Sequence, residues 1–114
     1  MSSIKMEGLV GTFAENKDIA KKIRLEIIFP TLLQGKEVVL DFSGVTGATQ
    51  SFIHALISDP IRELRDIAFY KLVYKNANDD IQAVISIVYR YMQESLDYDT
   101  TLDEPSDPDQ TTLL

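Results

Sequence analysis

The stretch VVLDFSGVTGATQSFIHAL, residues 38–56, decides how the chain is read. It begins in EVVLDF, a short run of apolar and β-branched residues without alternation, the pattern of a strand buried on both faces. Asp41 comes near its end, and SGVTGAT follows as a loop with two glycines and several hydroxyls. Thr49 is a good N-cap for a helix that begins at Gln50. Phe52, Ala55 and Leu56 give that helix its buried face. Strand, loop and helix in this order suit two different jobs. One is holding phosphate in a nucleotide-binding fold; the other is offering a helix end to a protein partner.

Outward from this stretch, strand-like and helix-like segments alternate. SIKMEGLVGTF alternates at Ile4 and Met6 and breaks at Gly8 and Gly11, which predicts a strand or short hairpin. In NKDIAKKIRLEIIF, Ile19, Ile23 and Ile27 recur every four residues behind a potential Asn16 cap, which predicts a helix. Pro30 should end or kink it at Phe29, and Gly35 closes the connection. After the helix from Gln50, Asp59 and Pro60 predict a helical restart, with Asp59 as cap and Pro60 at the first position. FYKLVYK reads as a third strand. NDDIQAVISIVYRYMQESL is the longest helix, with Ile81, Val84, Ile85, Val88 and Met92 as its inner stripe and Asp79 and Asp80 at its start. From residue 97 the pattern stops. The expectation is therefore one α/β domain over 1–96, a small sheet of about three to four strands, at least partly parallel, against about three helices. A flexible, disordered acidic tail is expected over 97–114.

The charge follows the same division. The formal net charge is -7, and the six acids from Asp97 to Asp109 carry most of it, since no base lies beyond Arg90. A near-neutral domain without a clustered basic surface argues against a nucleic-acid partner. The apolar runs are far shorter than the ~20 residues that span a bilayer, and the start lacks a signal-peptide core. With no Cys, thiolate chemistry is excluded. The reading is a soluble, cytoplasmic protein without cofactor or metal.

A Walker loop needs Gly-x-x-x-x-Gly-Lys-Ser/Thr, and no Lys or Arg lies between Gly44 and Ser51. A dinucleotide fingerprint needs three glycines where only Gly44 and Gly47 stand. His54 lies two residues past Phe52, about 200° around the helix, which turns it away from the core. Asp41 either serves chemistry at a strand end or accepts N–H groups of the SGVTG turn. A calcium loop starting at Asp97 fails, because Leu102 and Pro108 stand where Gly and Glu are required. Lys17, Lys21, Lys22 and Arg24 form a small basic cluster, either a solvated face or a contact for an acidic partner.

Several pieces together resemble the STAS superfamily, of sulfate transporters and anti-sigma factor antagonists, and more closely its STAS-like branch of unknown function. The pieces are KDIAKKIR, VVLDFSGV, TQSF, KLVYKNA and AVISIV, and the resemblance covers roughly residues 12–90. It implies a partner-binding module for a histidine-kinase-like ATPase or an anti-sigma-type factor, with the strand-loop-helix junction as the switch. In that alignment Thr49 stands where Asp is usual, Gln50 at the usual phosphorylated hydroxyl, Ser51 on the following hydroxyl and Phe52 in place of Gly. Lys17 replaces a frequent Arg, and His54 and Ala55 a frequent acidic pair. The resemblance thus marks Thr49, Gln50, Ser51, Phe52 and Asp41 as partner-binding candidates, with Ser51 or Thr49 as the phosphorylation candidate. The expected function is a non-enzymatic regulatory interaction module. Two alternatives stand beside it. One is a small nucleotide or anion binder or enzyme using Asp41, Thr49, Ser51 and His54. The other is a structural homo-oligomer subunit, the homodimer included.

Overall fold

In the computed structural model, residues 2–101 are described. The elements are β1 (Ser2–Lys5), α1 (Met6–Val10), β2 (Phe13–Ala14), α2 (Lys17–Ile23), α3 (Phe29–Leu33), β3 (Val38–Asp41), β4 (Gly47–Ala48), α4 (Gln50–Leu64), α5 (Asp66–Lys71), β5 (Leu72–Lys75) and α6 (Asp79–Thr101). The class is α/β, as the alternation predicts. One sheet has the order β1-β3-β5, and both pairings are parallel. Its central strand is buried along its whole length, which explains why Val38–Leu40 shows no alternation. A second, two-stranded parallel sheet joins β2 to β4.

The segment after β1 is not a hairpin. Met6 starts α1, and β1 instead pairs in parallel with β3, Ile4 opposite Leu40. The first long helix does not stop at Phe29 either. A π-helical turn over Arg24–Ile28 joins α2 to α3, and the Phe29 N–H reaches back to the Arg24 carbonyl. Pro30 has no N–H to donate and its ring would crowd the carbonyl four residues back. A widened turn just before it accommodates both. Likewise α4 runs through Pro60 without restarting. Leu56, Ile57, Pro60 and Ile61 are all buried, so packing outweighs the lost hydrogen bond. Asp59 does not cap. Its carboxylate pairs with Arg24 at 3.3 Å and Arg62 at 2.8 Å. The third strand is shorter than expected, because Phe69, Tyr70 and Lys71 belong to α5.

The caps at Asn16 and Thr49 form as expected. The Asn16 side chain accepts from the Asp18 and Ile19 N–H groups, and the Thr49 hydroxyl from Phe52 N–H at 3.1 Å. At α6 the cap is Asn78, which accepts from Ile81 N–H at 2.9 Å. Helix α6 continues to Thr101, five residues past the expected boundary at 96. The remaining expected tail, 102–114, lies outside the described residues. One hydrophobic cluster unites the elements, with Met6, Ile28, Leu40, Phe42, Phe52 and Ile81 among its fully buried members. No described helix is long and apolar enough to cross a membrane.

Candidate functional site

Two short parallel strands build the junction. Ala14 at the end of β2 lies opposite Ala48 at the end of β4, and the Thr49 N–H donates to the Ala14 carbonyl at 2.9 Å. β4 leads directly into the Thr49 cap and β2, after Glu15, into the Asn16 cap, so α2 and α4 start side by side and pack along each other. Lys17, the first residue of α2, therefore meets the first turn of α4. Lys17, Gln50, Ser51 and His54 line a shallow depression of about 350 Å³. The His54 ring also lies against the Tyr91 ring of α6, centroids 6.2 Å apart.

The loop before α4 is strapped down. The Val45 N–H donates to the Phe42 carbonyl at 3.0 Å, closing a turn in which Gly44 has φ +83°. The Glu7 carboxyl lies where a Cβ on Gly44 would go, so conformation and space both call for glycine. The Thr46 N–H and hydroxyl both donate to the Thr12 carbonyl, and Asn78 Nδ2 donates to the Thr46 carbonyl. A phosphate loop needs unengaged N–H groups; two of the N–H groups here, those of Val45 and Thr46, already have protein acceptors.

The expected site residues separate into four settings. Gln50 and Ser51 are exposed in the depression, beside His54. Thr49 is half-buried, and its hydroxyl holds the cap. Phe52 is fully buried in the core, as the helical stripe requires. Asp41 belongs to another cluster, at the carboxyl end of β3. Its Oδ1 accepts from Asn76 Nδ2 at 3.1 Å and from Ser43 N–H at 3.0 Å, while Oδ2 faces Lys5 Nζ at 3.7 Å. These bonds, first Asn76 and then Ser43, lower its pKa from 3.8 to about 2 against the opposing effect of burial. None of its partners lines the depression, so Asp41, Ser51 and His54 are not gathered into one centre. Among the described residues no group of three or more His, Asp or Glu is placed to hold a metal.

Several participants carry little sequence signal. Asn76 adopts φ +58° just after β5, a conformation Asn tolerates, and it is this turn that aims its amide at Asp41. The Tyr74 and Tyr89 hydroxyls meet at 2.7 Å, and burial pushes both phenols above their ordinary pKa. Lys17 was visible as part of a basic cluster and as a replacement for a frequent Arg, and nothing local announced Tyr91.

The sequence model of a STAS-like domain of unknown function (DUF4325) matches residues 20–82, more than half of the chain. The matched span runs from α2 through the junction into the first turn of α6. No curated protein and no solved structure matches.

Proposed function

Since the chain belongs to the family of STAS-like domains of unknown function, we propose that it is a non-enzymatic regulatory module that docks a protein partner on the amino-terminal end of α4. The observation that carries this reading is the division of labour among four consecutive residues. Thr49 and Phe52 are committed to cap and core, while Gln50 and Ser51 face solvent between Lys17 and His54. A rigid helix end thus presents side chains that the fold itself does not use. Ser51 is the hydroxyl on which a phosphate would add about -1.5 to -2 charge at that surface. Thr49 is the weaker candidate, because its oxygen already accepts the Phe52 N–H. The partner class is a histidine-kinase-like ATPase or an anti-sigma-type factor, following the resemblance of the junction. An enzyme built on Asp41, Thr49, Ser51 and His54 is disfavoured by the separate hydrogen bonding of Asp41.

The test is site-specific photo-crosslinking in the native cell. A photoreactive side chain at Gln50 should capture a discrete protein, whereas one at Lys36, exposed in the connection between α3 and β3, should not. Capture from Lys36 with none from Gln50 would place the docking surface elsewhere.

A further inference from the structure

Strand β5 is an edge: in the order β1-β3-β5 its one neighbour among the described residues is β3. The Phe42 N–H donates to the Lys75 carbonyl at 2.9 Å, so Lys75 turns its main-chain groups toward β3. Successive residues of a strand turn theirs to opposite sides, so Tyr74 turns its N–H and carbonyl outward. Neither meets a partner among the described residues. Where β5 gives way to α6, Tyr74, Asn76, Ala77, Gln82, Ile85 and Ser86 line an open hollow of about 330 Å³. Just before β5, Phe69 and Tyr70 are 41% and 78% exposed. An uncovered edge of this kind is a template for another strand.

We infer that β5 pairs with β5 of a second copy of this chain, antiparallel and centred on Tyr74, so that two three-stranded sheets join into one of six strands. Charge selects this partner. A two-fold axis presents an edge to itself in reverse. Tyr74 then faces Tyr74 of the second copy and exchanges both main-chain hydrogen bonds with it. Lys75 faces Val73 and Lys71 faces Ala77, so no lysine stands opposite a lysine. Two to three residues beyond Ala77, at ~3.3 Å each, come Asp79 and Asp80. Both are exposed, as is Lys71. The edge is thus basic just before it begins and acidic just after it ends. Reversal brings these unlike charges within about one screening length of each other. An in-register parallel pairing would set Lys71 beside Lys71 and Lys75 beside Lys75. One short strand pair is a small interface, below about 1,200 Å² in total, so the dimer is reversible. The inference does not depend on the docking function, since none of Lys71, Tyr74 and Lys75 lines the depression at α4.

Analytical ultracentrifugation of the full parent chain from about 1 µM to about 1 mM should show a monomer passing into a dimer. Lys71→Glu places like charges across the two-fold and should raise the dissociation constant roughly tenfold, the scale of two exposed ion pairs. The chain has no cysteine, so introduced cysteines read the register. The neighbours of the Tyr74 pair stand directly opposite each other, with Cα atoms ~4.5 Å apart, whereas diagonal pairs at about 7–8 Å are too far apart for a disulfide. Under mild oxidation, an equimolar mixture of Val73→Cys and Lys75→Cys should therefore give a mixed disulfide, and neither variant alone should give one. Lys75 is exposed and Val73 half-buried, so both variants should fold. A parent chain that stays monomeric throughout overturns the proposal without any variant, and leaves the edge to an extended segment of another protein. Disulfides within a single variant, no mixed disulfide, or an unchanged dissociation constant with Lys71→Glu overturn it as well.

Discussion

Asp41 shows how one side chain settles a question that the sequence leaves open. Two amide-type donors and a nearby ammonium hold its carboxylate, and its pKa falls to about 2 from 3.8. A folded-state pKa below the unfolded one means that the contribution to stability is present above about pH 4. It is lost as the pH falls through about 2. Urea midpoints measured from pH 7 down to pH 2 should fall more steeply for the parent than for Asp41→Asn across that window. Parallel curves would mean that Asp41 is not held as an anion. Turn binding was one of the two roles that the place of Asp41 before SGVTG allowed, but Asn76 was not legible, since the two are joined only when β5 pairs with β3. The same limit applies to Lys17 and Ser51, which lie far apart in sequence and meet through the β2–β4 pairing. Phe52, by contrast, was legible as core from helical spacing alone.

At the scale of elements, caps and the buried strand were legible because each is decided within a few residues. The helix limits were not. Pro30 reads locally as an end or kink and Pro60 as a restart, yet both sit inside helical runs, one behind a π-helical turn and the other among buried neighbours. Arg24, inside the π turn, reaches across to α4, where its Nη1 donates to the Ala55 carbonyl at 3.0 Å and pairs with Asp59. The actual break in α4 comes at Arg65, which has φ +46° and ψ -109° between α4 and α5. A side chain is strained there, and strain of this kind costs on the order of 1–3 kcal/mol. Arg65→Gly should therefore be neutral to stabilising by roughly 1 kcal/mol, since glycine gives back part of the gain as unfolded-state entropy. Arg65→Ala keeps the Cβ and should not gain. Chemical denaturation of the two variants decides it, and a Gly variant less stable than the Ala variant would show that Arg65 carries no strain.

Across the whole molecule, the alternation of strands and helices was enough to expect an α/β fold with parallel pairing. Strand order β1-β3-β5 and the small β2–β4 sheet were not readable, because two-residue strands leave no periodic signal and their partners are distant. That small sheet matters most for the proposed function, since it sets the starts of α2 and α4 side by side and leaves Gln50 and Ser51 at a shared, solvent-facing end. The central claim is that this end is where a protein partner docks, and charge placed there tests it. Ser51 is exposed and Asp is itself a good N-cap, so Ser51→Asp and Thr49→Asp should both keep the parent's thermal midpoint. The decisive measurement is the amount of partner captured from the native cell by the parent, Ser51→Ala, Ser51→Asp and Thr49→Asp, each checked for its midpoint. The account predicts equal capture by the parent and Ser51→Ala and a strong loss with both Asp variants. Equal capture by all four folded proteins would contradict it.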